Sequence, residues 1–340
     1  MATVKEIATY LGLSTATVSR ALRNDPKLSI NPETRTRIQQ AVDKLGAPIL
    51  YKKSVAAETG KTDFTICVIH KNMAFRNQID SSYYFAIRSG IEEACSKSDV
   101  SCIFIPPYEL DKNLDFDGYI LVGNHRKTDF EKILSLIGNK PLAAIGIISY
   151  FPDRVDHITH SNKASVSCAL DYLFSCGHTK IGYLGVIEAP GTEEFESRRQ
   201  TFIDIMEKKG LYEGCWLKEC KHGDDRVLEG YKVMSQWLDS GKELPTAIFC
   251  ANDPVALGAV KSLHEHGINV PKQISIVSHD SGYPTQYAIP PLTTVDVHPY
   301  LLGWEGVKAI LERMSNERKV TKTVLLNPEL IVRDSVARLN

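Results

Sequence analysis

Between residues 64 and 297 one pattern repeats: a continuous apolar run of five to seven residues, then a longer amphipathic stretch. The runs FTICVI (64–69), SCIFIP (101–106), GYILV (118–122) and PLAAIGI (141–147) alternate with helical stretches such as 82–97 and 127–137. The series then starts again with helix 163–176, strand KIGYLG (180–185), helices 194–209 and 225–240, strand AIFCAN (247–252), helix 253–266 and strand SIVSHD (275–280). TTVDV (293–297) and a last helix near 299–316 follow. Strands that are apolar throughout belong to a parallel sheet covered on both faces by helices. Two successive series predict two doubly wound α/β subdomains side by side. A cleft then lies at the carboxyl ends of their strands, where such sheets bind ligands.

Length agrees with more than one core: 340 residues, 43% apolar and 24% charged, describe a folded chain of two or three domains. The net charge of −1 conceals an asymmetry. Residues 1–60 hold nine Lys/Arg against five Asp/Glu, a net of +4, which leaves −5 for the rest. A basic end on an acidic body suits an arm that binds a polyanion, because neutralising phosphates releases counterions.

That basic end has its own organisation. Val4, Ile7, Ala8 and Leu11 stand at i, i+3, i+4 and i+7, one apolar helical stripe. Thr3 and Glu6 have the spacing of a capping box, and Gly12 follows where a left-handed residue ends a helix. Ser14 suits the N-cap of a second helix over 15–23, with Val18, Ala21 and Leu22 on its apolar side. Thr15, Ala16, Thr17, Ser19, Arg20 and Arg23 face elsewhere. Two short helices, a tight turn and an arginine-bearing second helix describe a helix-turn-helix. Asn31 and Pro32 open a third helix carrying Ile38, Ala41, Val42 and Leu45, ended by Gly46. Residues 47–63, APILYKKSVAAETGKTD, are basic, start with a proline near their beginning and read as a solvated linker.

Elsewhere the chemistry of catalysis is missing. There is no G-x-x-x-x-G-K-[ST], G-x-S-x-G or H-E-x-x-H. Eight cysteines include no C-x-x-C pair, and Cys67 and Cys250 lie in apolar runs as small hydrophobes. Cys215, Cys220 and His222 lack a fourth ligand and the spacing of a zinc site. His157 and His160 read as surface or strand-end residues, and Asp111, Asp115 and Asp117 as solvated loop carboxylates. No apolar run approaches the ~20 residues of a membrane helix, and charges interrupt any signal peptide. A cytoplasmic chain with reduced thiols, and without metal or cofactor, is the expectation.

Three positions point into the cleft. Arg198 opens the helix after strand 180–185, Asn252 and Asp253 end strand 247–252, and Asp280 ends strand 275–280. A guanidinium can bind vicinal hydroxyls or a carboxylate through two donors, and Tyr84 or Phe85 can stack on an apolar face. Such a set suits a sugar and equally a nucleoside. Helix capping by Asp253 and solvation of Arg198 and Asp280 are the plainer alternatives.

Residues 3–24, TVKEIATYLGLSTATVSRALRN, resemble the N-terminal signature of the lactose-repressor (LacI/GalR) family of bacterial transcription regulators. The resemblance continues through LPTAIFCANDPVALGAVKSLHEHGINVPKQISIVSHD (244–280), IPPLTTVDV (289–297) and NPELIVRDS (327–335). Within the family, stretches 80–95 and 118–123 look closest to a repressor of β-galactosidase genes. The resemblance implies a periplasmic-binding-protein-like body that forms a homodimer and presents two heads to palindromic double-stranded operator DNA. Thr15, Ala16 and Arg20 match positions facing base edges, Arg20 suiting guanine. Thr3, Ser14, Thr17, Ser19 and Asn24 match positions that hold phosphates. Arg198, Asn252 and Asp280 match effector-holding positions, with Tyr84 as the stacking ring.

Two departures stand out. Relatives usually carry a hinge helix, A-R-x-L, whose leucine wedges into the minor groove; here KKSVAAETG puts Val55, Ala56 and Ala57 there, so either Val55 is a smaller wedge or the protein bends DNA less. The strand end that often carries an effector-binding Asp reads AIGIIS, with Gly146 in its place.

The expectation is therefore a sequence-specific DNA-binding regulator and not an enzyme, a repressor of sugar-utilisation genes. Its operator affinity would be changed by a small carbohydrate, a β-galactoside among the options, bound between two subdomains. Residues 1–47 form the head, 48–62 the linker and 63–340 the effector-binding and dimerising body. Within the body, about 63–160 with 297–322 make one subdomain, and about 161–292 with 323–340 the other. Nothing in the sequence predicts assembly beyond a dimer. A transport-type binding protein for a sugar or nucleoside needs a signal peptide and no head. An enzyme in the same cleft needs a catalytic pair.

Overall fold

The structure is a computed structural model that describes residues 4–22, 31, 34, 37, 38, 41, 64–70, 82–107, 110, 115–123, 125–146, 150–186, 197–220 and 225–339. At its start, helices α1 (Val4–Leu11) and α2 (Thr15–Leu22) form the helix pair. Thr34, Arg37, Ile38 and Ala41 are also helical, and Ala8, Val18, Ala21, Ile38 and Ala41 are buried. These are apolar-stripe positions of all three expected helices. Val42 and Leu45 lie outside the described residues.

Among the described residues the body contains two six-stranded sheets. The first contains β1 (Thr65–His70), β2 (Ser101–Ile105), β3 (Gly118–Val122), β4 (Leu142–Ile145), β5 (Val155–His160) and β11 (Thr323–Leu326), in the order β11-β5-β4-β3-β1-β2. All its pairings are parallel. The second contains β6 (Ile181–Val186), β7 (Leu217–Cys220), β8 (Ala247–Cys250), β9 (Ser275–Asp280), β10 (Thr293–Asp296) and β12 (Glu329–Ile331), in the order β12-β10-β9-β8-β6-β7. Only β12 runs antiparallel, against β10.

Burial on both faces explains why the strands read as continuous apolar runs. On β1, Ile66 and Val68 pack with helices α3 (Ser82–Lys97) and α9 (Pro299–Met314). Cys67 and Ile69 pack on the other side with α4 (Lys127–Ile137). On β8, Ile248 and Cys250 face α7 (Arg226–Asp239) and α8 (Asp253–Glu265), while Ala247 and Phe249 face α5 (Asn162–Ser175) and α6 (Ser197–Lys208). Each such large apolar side chain contributes about 1.5–3 kcal/mol when taken from water. Helices α3 and α9 approach through two glycines. A Cβ on Gly90 would overlap the Tyr300 carbonyl, and one on Gly303 the Ile87 carbonyl, so backbone meets backbone there.

The chain passes between the subdomains near residue 161, between β10 and α9, and between β11 and β12. This last passage corrects the expected boundary, which gave 323–340 to the second subdomain. Thr323–Leu326 instead form the edge strand β11 of the first sheet, paired in register with His157–His160. The reason lies just before it. Asp156, fully buried on β5, accepts two hydrogen bonds from Arg318 (2.8 and 2.9 Å) and one from the Lys322 amide (2.7 Å). Lys322 and Arg318 also pair with Glu312 of α9. This clasp lays the chain along β5. The exposed alternate residues of β11 hide it from a search for continuous apolar runs. Strands β5 (VDHITH) and β7 (LKEC) escape the same search because their residues are polar, although β5 is almost wholly buried.

The candidate DNA head and effector cleft

In the head, the turn has the expected chemistry. Gly12 sits at φ +67°, and the Leu13 amide donates to the Ala8 carbonyl (2.9 Å), closing α1. Ser14 caps α2: its Oγ accepts from the Thr17 amide at 3.0 Å and lies 2.8 Å from Thr17 Oγ1. Two hydroxyls sharing one hydrogen bond leave a second hydroxyl proton for an outside acceptor. Ser14 and Thr15 are exposed and Thr17 half-buried. Ala16, Ser19 and Arg20 lie on the backbone of α2, their side chains outside what is described. Thr3, Asn24 and Val55 also lie outside the described residues.

In the body, the predicted effector residues come together at the carboxyl ends of the second sheet's strands. Asn252, buried at 5% exposure, is the N-cap of α8, its Oδ1 accepting from the Val255 amide at 3.0 Å. Capping thus falls to Asn252 rather than to Asp253. Arg198, the second residue of α6, is 9% exposed and donates through Nη1 to the Ala251 carbonyl at 2.6 Å, next to Asn252. Asp280 ends β9 at φ +103°, a region few side chains adopt, and its Oδ1 accepts from His279 Nδ1 at 2.7 Å.

Asp253 supports this wall from behind. It is 2% exposed and accepts from Ser278 Oγ (2.5 Å), the Gly282 amide (2.5 Å) and Thr294 Oγ1 (2.9 Å), so it fixes the turn after Asp280. Burial first, then the charge of Asp280, pushes its carboxyl up to about 8.

The first subdomain supplies the opposite wall. Tyr84 is half-buried, its ring edge-on to His70 (5.2 Å) and Tyr83 (5.1 Å). Phe85, the alternative stacking ring, is exposed. Burial pushes the Tyr83 hydroxyl well above its ordinary value, with Tyr84 and Asp280 adding to the rise and Arg198 opposing it. Tyr83 therefore lies within the field of both Asp280 and Arg198, and sequence reading missed it by choosing its neighbours. At the passage near residue 161, His160 Nε2 donates to Asn162 Oδ1 (3.2 Å), whose Nδ2 donates to Ser197 Oγ (3.0 Å). His160 is a strand-end residue as expected, but it and His157 are buried rather than on the surface.

The other screened groups are structural. Asp117 accepts from the Thr65 amide (2.7 Å), Asp115 pairs with Lys140, and Asp111 lies outside the described residues, as does His222. Among the described residues no group of three or more His, Cys, Asp or Glu could hold a metal, and no helix is long and apolar enough to cross a membrane.

Known proteins match both parts. Residues 3–46 match the model of "Bacterial regulatory proteins, lacI family", and 170–336 that of a "Periplasmic binding protein-like domain". The regulator GanR of Bacillus subtilis is 31% identical over 99% of this chain and the whole of that protein. The repressor MelR of the same organism is 30% identical over 98% of this chain and 97% of its own length. Two solved structures share the fold: a transcriptional regulator CelR–cellobiose complex (TM-score 0.69, 22% identity, 98% of this chain and all of that one) and a lac repressor dimer bound to operator and an anti-inducer (0.70, 20%, 99% of each). With a relative of 31% identity along the full length, the chain belongs to the lacI family of bacterial regulatory proteins and is a DNA-binding transcription regulator.

Proposed function

We propose that this regulator is a homodimeric repressor of sugar-utilisation genes whose affinity for a palindromic operator changes when a small carbohydrate binds between its subdomains. The observation that carries the reading is the wall of Arg198, Asn252 and Asp280, held by the backbone around Ala251 and by His279, with Tyr83 from the opposite subdomain in the field of Asp280 and Arg198. One cation, one amide and one carboxylate offered beside tyrosine rings suit vicinal hydroxyls on a ring with an apolar face. The complex of a structural neighbour with cellobiose agrees in ligand class.

Residues 1–47 act as the head, with Arg20, Thr15 and Ala16 on base edges and Thr3, Ser14, Thr17, Ser19 and Asn24 on phosphates. In the linker either Val55 acts as a smaller wedge in the minor groove or the protein bends DNA less than a leucine-bearing hinge does. The dimer is supported by a patch around the 3-10 turn Tyr283–Tyr287, where Tyr283, Tyr287 and Ile289 are 70%, 65% and 90% exposed. The protein then works in the cytoplasm, on the nucleoid, without enzymatic turnover.

A thermal-shift screen of galactosides, glucosides, sugar phosphates and nucleobases tests the ligand class, because a ligand that binds only the folded state raises its midpoint. Sugars should shift the wild type and not Asp280→Ala. A shift by nucleobases alone would replace the carbohydrate with a base or nucleoside.

A further inference from the structure

His160 ends β5 in the first subdomain, and His279 lies on β9 in the second. Their rings meet across the passage near residue 161, with centroids 5.8 Å apart, and they are 6% and 0% exposed. Neither hydrogen bond fixes one ring to the other. His160 is anchored to Asn162, and His279 donates through Nδ1 to Asp280, while His279 Nε2 is buried without a hydrogen-bond partner among the described residues. The other charged and titratable groups facing the pair are Arg198 at the start of α6, Asp280 on β9 and, toward these two, Tyr83 of α3. A proton added to His160 would enter a dry space that already holds the Arg198 cation. Among the described residues the carboxylate that acts on His160 is Asp280, and it is engaged by His279.

We propose that the His160–His279 contact is a proton-sensitive joint: with His160 uncharged it holds the two subdomains in the orientation seen here, and protonation of His160 favours an orientation in which the rings part and hydrate. The direction follows from linkage. Burial, then His279, lowers His160 to about 3 in this orientation, whereas a hydrated imidazole takes its proton near 6.5. The seen orientation is therefore favoured at neutral pH and loses ground as pH falls below about 6.5. One such histidine changes the orientation equilibrium about tenfold between pH 7.5 and 5.5. Burial lowers the other cleft-side histidine, His70, to about 4, but its ring meets Tyr84 of its own subdomain.

The test is small-angle scattering of the full-length protein from pH 7.5 to 5.0, at constant oligomeric state by sedimentation, beside NMR titration of the His160 ring. The radius of gyration should rise on acidification with the same midpoint as the His160 titration. The rise should vanish in His160→Gln and His160→Phe and persist in a variant of an exposed histidine, His264→Gln. No rise in the wild type, compaction instead, separate midpoints for scattering and ring titration, or an undiminished rise in a folded His160 variant would each overturn the proposal. Should both His160 variants fail to fold, the agreement or disagreement of the two wild-type midpoints decides.

Discussion

Two fully buried aspartates, one in each subdomain, are satisfied in opposite ways. Asp156 of β5 meets the Arg318 guanidinium in a two-bond fork, with Arg313 3.9 Å away and Lys322 and Glu312 extending the network. Asp253 of α8 meets no cation among the described residues: two hydroxyls and one amide hold it, and its carboxyl is pushed up to about 8. The first arrangement fastens the returning chain to the edge of a sheet, far from the strand ends that line the cleft. The second shapes the turn at Asp280 and Gly282 in the candidate wall without adding a full charge near it. A buried charge pair fixes topology; a buried, proton-holding carboxyl shapes a turn without placing a further charge beside Asp280.

The largest effect expected from breaking this contrast is Arg318→Ala. It removes both fork bonds from the buried Asp156, leaving Arg313 at 3.9 Å and the Lys322 amide, and should cost about 3–5 kcal/mol in urea unfolding at pH 7. A loss below about 1 kcal/mol would mean that water reaches Asp156. Asp253→Asn should cost less, about 1–3 kcal/mol at pH 5, because its amide keeps an acceptor for the hydroxyls but turns a donor toward the Gly282 amide. The sign with pH is distinctive. A carboxyl raised from about 4 unfolded to about 8 folded makes the wild type lose stability as pH rises between those values. The Asn variant lacks that slope, so the two stabilities should converge by pH 8; parallel curves at pH 5, 6, 7 and 8 would remove Asp253 as the source.

Gly282→Ala sharpens the comparison at the cleft itself. Its Cβ would lie 2.5 Å from Ser82 Oγ, on the first residue of the opposite subdomain's α3. The variant should bind the effector about tenfold more weakly with little change in unfolding, a loss of roughly 1.4 kcal/mol. Ser82→Gly should restore binding in the double variant, measured by calorimetry. The smallest effect lies in the head: Ser14→Ala removes the cap of α2 and should cost about 1 kcal/mol, read as weaker binding to every DNA sequence.

How legible these regions were follows from how each is built. The Gly12 turn and the Ser14 cap are local devices, and their residues announce them. The sheets' central strands are buried on both faces, so their apolar runs could be read directly. Arg198, Asn252 and Asp280 could be placed at or after strand ends from the sequence because the ends of apolar runs can be located, and the structure puts them there. What stayed hidden depends on distant partners. Asp156 draws β11 into the first sheet through Arg318 and the Lys322 amide, 162 and 166 residues away in sequence. Strand β5 carries two histidines whose burial is possible only because Tyr150, Asn162 and neutral rings receive them. Tyr83 was missed because helical phase at the rim of a cleft turns on which face the opposite subdomain covers.

The central claim is that one ligand in the cleft is coupled to DNA at the head. Fluorescence anisotropy of a palindromic operator selected by the protein itself, titrated with and without the sugar that raises the thermal midpoint, measures that coupling directly. A change in operator affinity of about 5- to 150-fold in the wild type, absent in Asp280→Ala, is the predicted result. Equal operator affinity with and without a sugar that demonstrably occupies the cleft would contradict it.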